Sequence, residues 1–159
     1  MPPPAVPFIA TVLTPDTAGR PGLGPERRGA ACDADDVGAR CDRFFATRLG
    51  HLREPHLRAL ALLWHDHLDA AHTLVQDLAD ADAAYVHAVM HRREPDYDNA
   101  KYWNHRVGPH PVHARLVADA SWDPDAFVDR CERAESGCLE IQEREFRLLA
   151  EHLVGMPRG

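Results

Sequence analysis

From Leu57 to Leu78 the apolar residues fall at Leu57, Leu60, Ala61, Trp64, Leu68, Ala71, Val75 and Leu78, the i, i+3, i+4, i+7 rhythm of a helix with one buried face. A stripe of about six turns has to be covered by other helices, and the rest of the chain carries the same signature. Pro55, a favoured first-turn residue, marks the start of this helix, and the rhythm runs to about Ala79. An earlier helix is predicted to begin after Asp33 or Asp35 as N-cap and to run to Leu49, with Val37, Cys41, Phe44, Phe45 and Leu49 inward and Gly50 closing it. A third follows a turn at residues 80–82 and ends at Glu94, because Pro95 disfavours helical geometry in the residue before it. The last is capped by Asp123, has Pro124 at its first position and continues to about Val154.

Between the third and last helices, residues 96–121 are polar and aromatic, with short helical pieces expected near 99–106 and 112–120. The expected fold is all-α: a helical bundle of about four main helices with an irregular polar and aromatic segment covering one end. Residues 1–31 hold most of the Pro and Gly and no sustained period, so they read as a disordered tail in which residues 8–13 could dock as a short extended segment. Residues 32–155 are left as a single helical domain, in keeping with a chain of 159 residues that is 45% hydrophobic.

A formal charge of -7 with no Lys/Arg block argues against nucleic acid or an anionic membrane surface as the partner, since both require a clustered positive field. No apolar run approaches the roughly 20 residues that span a bilayer, and residues 1–7 lack the basic and continuous apolar regions of a secretory signal. A cytoplasmic location is expected. Cys32, Cys41, Cys131 and Cys138 form no CxxC pair. On a continuous last helix Cys131 and Cys138 would stand about 10 Å apart by helical rise, beyond disulfide reach, so the cysteines read as small core residues.

Histidine is the unusual residue: ten of the eleven lie between His51 and His113. His65, Asp69, His72 and Gln76 run along the edge of the second helix's stripe, and His87, His91 and Glu94 repeat that spacing on the third. An HxxxH pair sets two imidazoles one turn apart on one side of a helix, a recurring way to hold a transition metal. With the turn near residue 81, His72 lies about nine residues before it and His87 and His91 about six and ten after, which makes all three level across an antiparallel hairpin at 1.5 Å per residue. These three are the predicted ligands of a divalent transition metal. Asp69, one turn from His72, and Glu145, an acidic residue on the apolar seam Phe127, Cys131, Ala134, Cys138, Ile141, Leu148 of the last helix, are the candidates for fourth ligand or general base. His51, His56, His67, His105 and His113 read as surface residues.

The stretch after the HxxxH pair is dense in hydrogen-bonding and aromatic groups. Arg92, Arg93, Lys101 and Arg106 are candidate clamps for a carboxylate or phosphate, with Tyr102 and Trp103 as stacking walls and His110 nearby. The opposing reading is that Arg92 and Arg93 pair with Glu94, Asp96 and Asp98 to stitch a loop to the bundle. No GxSxG, P-loop or dinucleotide fingerprint is present.

The runs Trp64-His65-Asp66-His67-Leu68-Asp69-Ala70-Ala71-His72, His87-Ala88-Val89-Met90-His91-Arg92-Arg93-Glu94-Pro95-Asp96-Tyr97-Asp98-Asn99-Ala100-Lys101-Tyr102-Trp103 and Arg106-Val107-Gly108-Pro109-His110-Pro111 resemble a family of small uncharacterised bacterial proteins. The resemblance covers about residues 55–153. It departs at Ala83-Ala84-Tyr85-Val86, where the family tends to carry Gly-Ser followed by two aromatics, and at Asn104, where it tends to be aromatic. It implies which residues matter and implies no reaction. One His followed by a later HxxxH is also similar to the ligand pattern of the DinB-like metal-binding bundles.

Two functions are carried forward. One is a metal-dependent helical-bundle enzyme acting on a small anionic molecule. The other is a metal-free ligand-binding or interaction module, in which the His/Arg/Asp cluster is a structural polar core and the long last helix mediates a homodimer.

Overall fold

A computed structural model describes residues 5–46, 53–117 and 121–155, the side chains from residue 7 onward. It is all-α, with no strand among the described residues. In chain order the helices are α1 (Ala5–Phe8), continued by a turn of wider π-helical winding at Ile9–Leu13, α2 (Ala34–Ala46), α3 (Glu54–Trp64), α4 (Leu68–Val75), α5 (Ala81–Arg93), α6 (Tyr97–Val107), α7 (Pro111–Leu116), α8 (Pro124–Glu132) and α9 (Cys138–Val154). The N-cap of α2 is Asp33, whose carboxylate accepts the Asp36 N–H at 2.7 Å. Leu49 and Gly50, expected to end this helix, lie outside the described residues. No described helix is long and apolar enough to cross a membrane.

α5 lies at the centre, packed against α3, α4 and α6, and α9 closes the far side against α3, α7 and α8. Its centrality shows in its sequence: from Asp82 to Arg93 every residue is buried, so charged side chains on α5 must find partners in the interior.

The predicted second helix is two helices. α3 ends at Trp64 and α4 starts at Leu68, with Asp66 in the left-handed region at φ 70. The apolar rhythm continues across the break, which is why periodicity alone reads one helix. The break is held by charge: the Asp66 carboxylate, its side chain fully buried, accepts the Arg28 N–H at 2.8 Å, Arg28 Nε at 3.0 Å and Arg93 Nη2 at 2.8 Å. Aspartate is among the few residues that tolerate this backbone conformation.

The predicted last helix is likewise two. α8 ends at Glu132, Ala134 (φ 51) and Gly137 (φ 90) turn the chain, and α9 begins at Cys138. Ala134, placed inward by the continuous seam, is exposed. The turn packs Cys131 and Cys138 into one small cluster, correcting the separation expected on a continuous helix. Both remain free thiols, packed with Phe127 in a small satellite core.

Two segments expected to lack sustained regular structure, one of them with a short helical piece near residues 99–106, pack against the bundle. Residues 97–107 form a regular helix, capped by the Asp96 side chain and burying Ala100 and Val107 against the neighbouring elements. The described part of residues 1–31, read as a tail, packs as a strap: Phe8, Val12 and Leu13 are fully buried, and Phe8 meets Phe44 edge to face at 5.1 Å. Residues 8–13 dock as a helical turn in place of an extended segment. Further along, Arg28 bonds Asp66, Arg27 bonds His67, and the Gly22 and Gly24 carbonyls accept from Gln142 and Arg93. Such contacts span up to 120 residues of sequence, and no local pattern carries them.

Candidate metal centre

The hairpin of α4 and α5 builds the site. Asp80 caps α5 through a bond from the Ala83 N–H at 3.2 Å, and His56 of α3 holds the same carboxylate at 2.9 Å. The turn is thereby fixed against the bundle, and with it the register of the two helices. His72 on α4 then faces His87 and His91 on α5. One ligand nitrogen from each of the three lies within 4.8 Å of the others, with His72 half-buried and the other two buried.

Hydrogen bonds select the nitrogens. His87 Nε2 lies 3.2 Å from the Val75 carbonyl oxygen, which can only accept, so Nε2 carries the proton and Nδ1 the lone pair. That Nδ1 is buried and has no hydrogen-bond partner. Burial lowers the basicity of the ring, the neighbouring His72, His91 and Arg106 act in the same direction, and the bond to Val75 offsets this only in part. His87 is therefore a neutral, oriented imidazole, the form that binds metal.

At His91, Nδ1 lies 2.5 Å from Glu94 Oε1, so Nδ1–H donates to the carboxylate and Nε2 carries the lone pair. Asn99 of α6 sits 3.3 Å from both ring nitrogens. Trp103, one turn further along α6, stacks on His87 with centroids 4.0 Å apart and planes 9° apart. Arg106 lies over the Trp103 ring at 5.3 Å. Asn99 is a neighbour of the triad that the histidine spacing does not point to, although it falls four residues before Trp103 on one helix.

A cleft of about 450 Å³, with Arg27, Asp66, His67, Asp69 and Glu94 among its lining residues, adjoins the triad through Glu94. Asp69 is exposed on its wall and is not among the groups whose ligand atoms converge.

Several expected site residues are committed elsewhere. Glu145 is buried, but its carboxylate takes Arg92 Nη2 at 2.7 Å and the Tyr85 hydroxyl at 2.8 Å, and it is not part of the histidine cluster. Arg92 is thereby used, with a further bond to Gln142 and its guanidinium over Phe127 at 4.7 Å. Arg93, fully buried, binds Asp66 and the Leu63 and Gly24 carbonyls. Both guanidiniums are engaged by partners distant in sequence, and among the described contacts neither pairs with Glu94, Asp96 or Asp98. Lys101 pairs with Asp129 on α8 at 2.6 Å. His110 is the N-cap of α7: its Nδ1 accepts the Val112 N–H and its Nε2 donates to Asp82 at 2.7 Å, so both nitrogens are occupied. The Asp82 carboxylate, also met by His152 at 3.1 Å, is held below the carboxylate range: burial alone would raise it, but the bonds from His110 and His152 outweigh that. His56 and His67, expected on the surface, are buried and bonded to Asp80 and to the strap, whereas His105 is exposed.

Of the predicted anion-binding set, Trp103, Tyr102 and Arg106 remain at the triad's side of the molecule, with Tyr102 exposed and Arg106 stacked over it at 5.8 Å. Compared with protein-family models, curated proteins and solved structures, the chain matches none.

Proposed function

We propose that the protein is a metal-dependent enzyme whose metal is held by His72, His87 and His91. The observation that carries this reading is the convergence of three imidazoles, each offering one nitrogen within 4.8 Å of the others, at a ring whose Nδ1 is buried without a partner, which costs free energy. The donor set suits zinc, iron, manganese, nickel or copper. Three protein ligands leave coordination open, and a metal so held supplies Lewis acidity toward water or a bound anion.

The remaining residues have supporting roles. Val75 and Glu94 fix the tautomers of His87 and His91, and Trp103 holds the plane of His87. Arg106 is the cation whose charge reaches His87 without being consumed by a carboxylate among its described contacts. It is the residue suited to orient a small anionic substrate, in place of Arg92, Arg93 and Lys101. Glu94, bonded to His91 on the edge of the cleft, is the carboxylate placed to accept a proton there.

Elemental analysis of untagged protein after reconstitution with each candidate metal tests the reading. Metal content should fall by one equivalent per chain in His87→Ala and in His91→Ala, and metal-dependent hydrolysis of small phosphate and carboxylate esters should vanish with it. Unchanged metal content in both variants would overturn the assignment.

A further inference from the structure

On the opposite side of the α3–α4 break, His65 points toward the strap. Its Nε2 lies 2.7 Å from the Val12 carbonyl oxygen, so Nε2 carries the proton and Nδ1 the lone pair. The ring is fully buried, and Nδ1 has no hydrogen-bond partner. What it faces is Asp16 Oδ2, 3.3 Å away. That carboxylate is already oriented by two backbone donors, Ala18 N–H on Oδ1 and Cys32 N–H on Oδ2, each at 3.0 Å. The Cys32 thiol completes the group, and one ligand atom from each of the three residues lies within 4.8 Å of the others.

Two electron-rich atoms held face to face, one on a buried ring and one on a half-buried carboxylate, repel unless a cation lies between them. A buried imidazolium is the costly solution, since it desolvates a charge. The distance favours the other. Zinc bonds of about 2.0–2.1 Å to nitrogen and oxygen at a tetrahedral angle put those two ligands about 3.3–3.4 Å apart, which is the separation of His65 Nδ1 and Asp16 Oδ2. A mixed sulfur, nitrogen and oxygen set selects a borderline-soft ion.

We propose that Asp16, Cys32 and His65 form a second metal site, for a divalent cation of the zinc class, that clasps the strap to the bundle. The three ligands come from residues 16, 32 and 65, and the carbonyl that sets the His65 tautomer comes from the strap as well. The site is independent of the histidine triad, with which it shares no ligand. Its role is structural: between Asp16 and Cys32 the strap carries Arg27 and Arg28, which bond His67 and Asp66 on the wall of the cleft.

Cobalt(II) separates the two sites, because only a thiolate ligand gives a sulfur-to-cobalt charge-transfer absorption in the near ultraviolet. Full-length protein titrated with Co²⁺ should develop that band, saturating at one equivalent per chain. Cys32→Ser should abolish it, Asp16→Asn should weaken Co²⁺ binding at least tenfold, and His87→Ala and His91→Ala should leave it in place. Cys32 is only half-buried, and far-ultraviolet circular dichroism reports whether the Ser variant keeps its helices. Zinc should also slow tryptic cleavage after Arg27 and Arg28, and chelation should restore it. Absence of the band in the wild type, its survival in Cys32→Ser, or tryptic cleavage indifferent to zinc would overturn the proposal.

Discussion

The imidazole of His87 lies flat against the indole of Trp103, 4.0 Å between centroids, while its Nε2 is tied to the Val75 carbonyl from the other edge. The ring has no freedom to rotate, so its Nδ1 lone pair points where the fold directs it. A paramagnetic ion bound there should quench the Trp103 emission strongly. We expect Cu²⁺ to quench tryptophan fluorescence in the wild type and much less in His87→Ala or Trp103→Phe; quenching that survives in both would place the ion elsewhere.

Glu94 sits 2.5 Å from His91 Nδ1. Carboxylates in this position orient a ligating histidine and raise its basicity, and their loss typically lowers metal affinity by about 10–100-fold. Glu94→Gln should show a drop of that order at the triad in competition with a chromophoric chelator, with little effect on thermal stability because Glu94 lies at the helix end, partly exposed.

Asp66 pairs with both Arg28 and Arg93 at a helix break inside the protein. Removing one partner of a buried ion pair costs about 3–5 kcal/mol because the other charge is left stranded. Asp66→Ala should lose stability of that order in urea denaturation. Asp66→Asn, which keeps the tolerance for φ 70 and one acceptor, should lose less.

Arg92 and Glu145 form the other buried pair, 2.7 Å apart, with Tyr85 as third member. Arg92→Met alone should destabilise strongly, whereas Arg92→Met with Glu145→Leu should recover much of the loss, as replacement of a whole buried pair by packed apolar groups tends to. Glu145→Gln should leave the metal content of the triad unchanged. A loss of metal on that substitution would return Glu145 to the ligand set.

Acid should unfold the protein through its buried carboxylates. Burial alone would raise Asp66, but the bonds from Arg28 and Arg93 outweigh it and hold its pKa below the ordinary 3.8. Asp82 is lowered in the same sense by His110 and His152. A depressed folded-state pKa means that the stabilisation is fully present above 3.8 and is lost as pH falls below it toward the folded-state value. Urea midpoints should therefore fall steeply below that pH in the wild type and less steeply in Asp66→Asn, the slope being the readout.

Helical class and the meeting of His72, His87 and His91 were legible in the chain because both follow from local periodicity. The 3.6-residue repeat fixes which residues share a face, and one turn near residue 81 fixes which of them are level. The same reasoning ran one helix through Asp66 and another through Ala134, since an apolar rhythm does not register a backbone break that arginines distant in sequence hold in place. What only the tertiary structure decided is where the buried charges go. Arg92, Arg93 and Glu145 looked like site residues by composition, and their partners lie 53, 27 and 60 residues away. The strap was hidden for the same reason: its apolar residues are few and its Pro and Gly many, and what orders it is Asp66, His65, His67 and Gln142 reaching it from the bundle. Local spacing sets which side chains a helix presents together; the ion pairs and hydrogen bonds of a buried interior are long-range, and only the folded chain brings their members into contact.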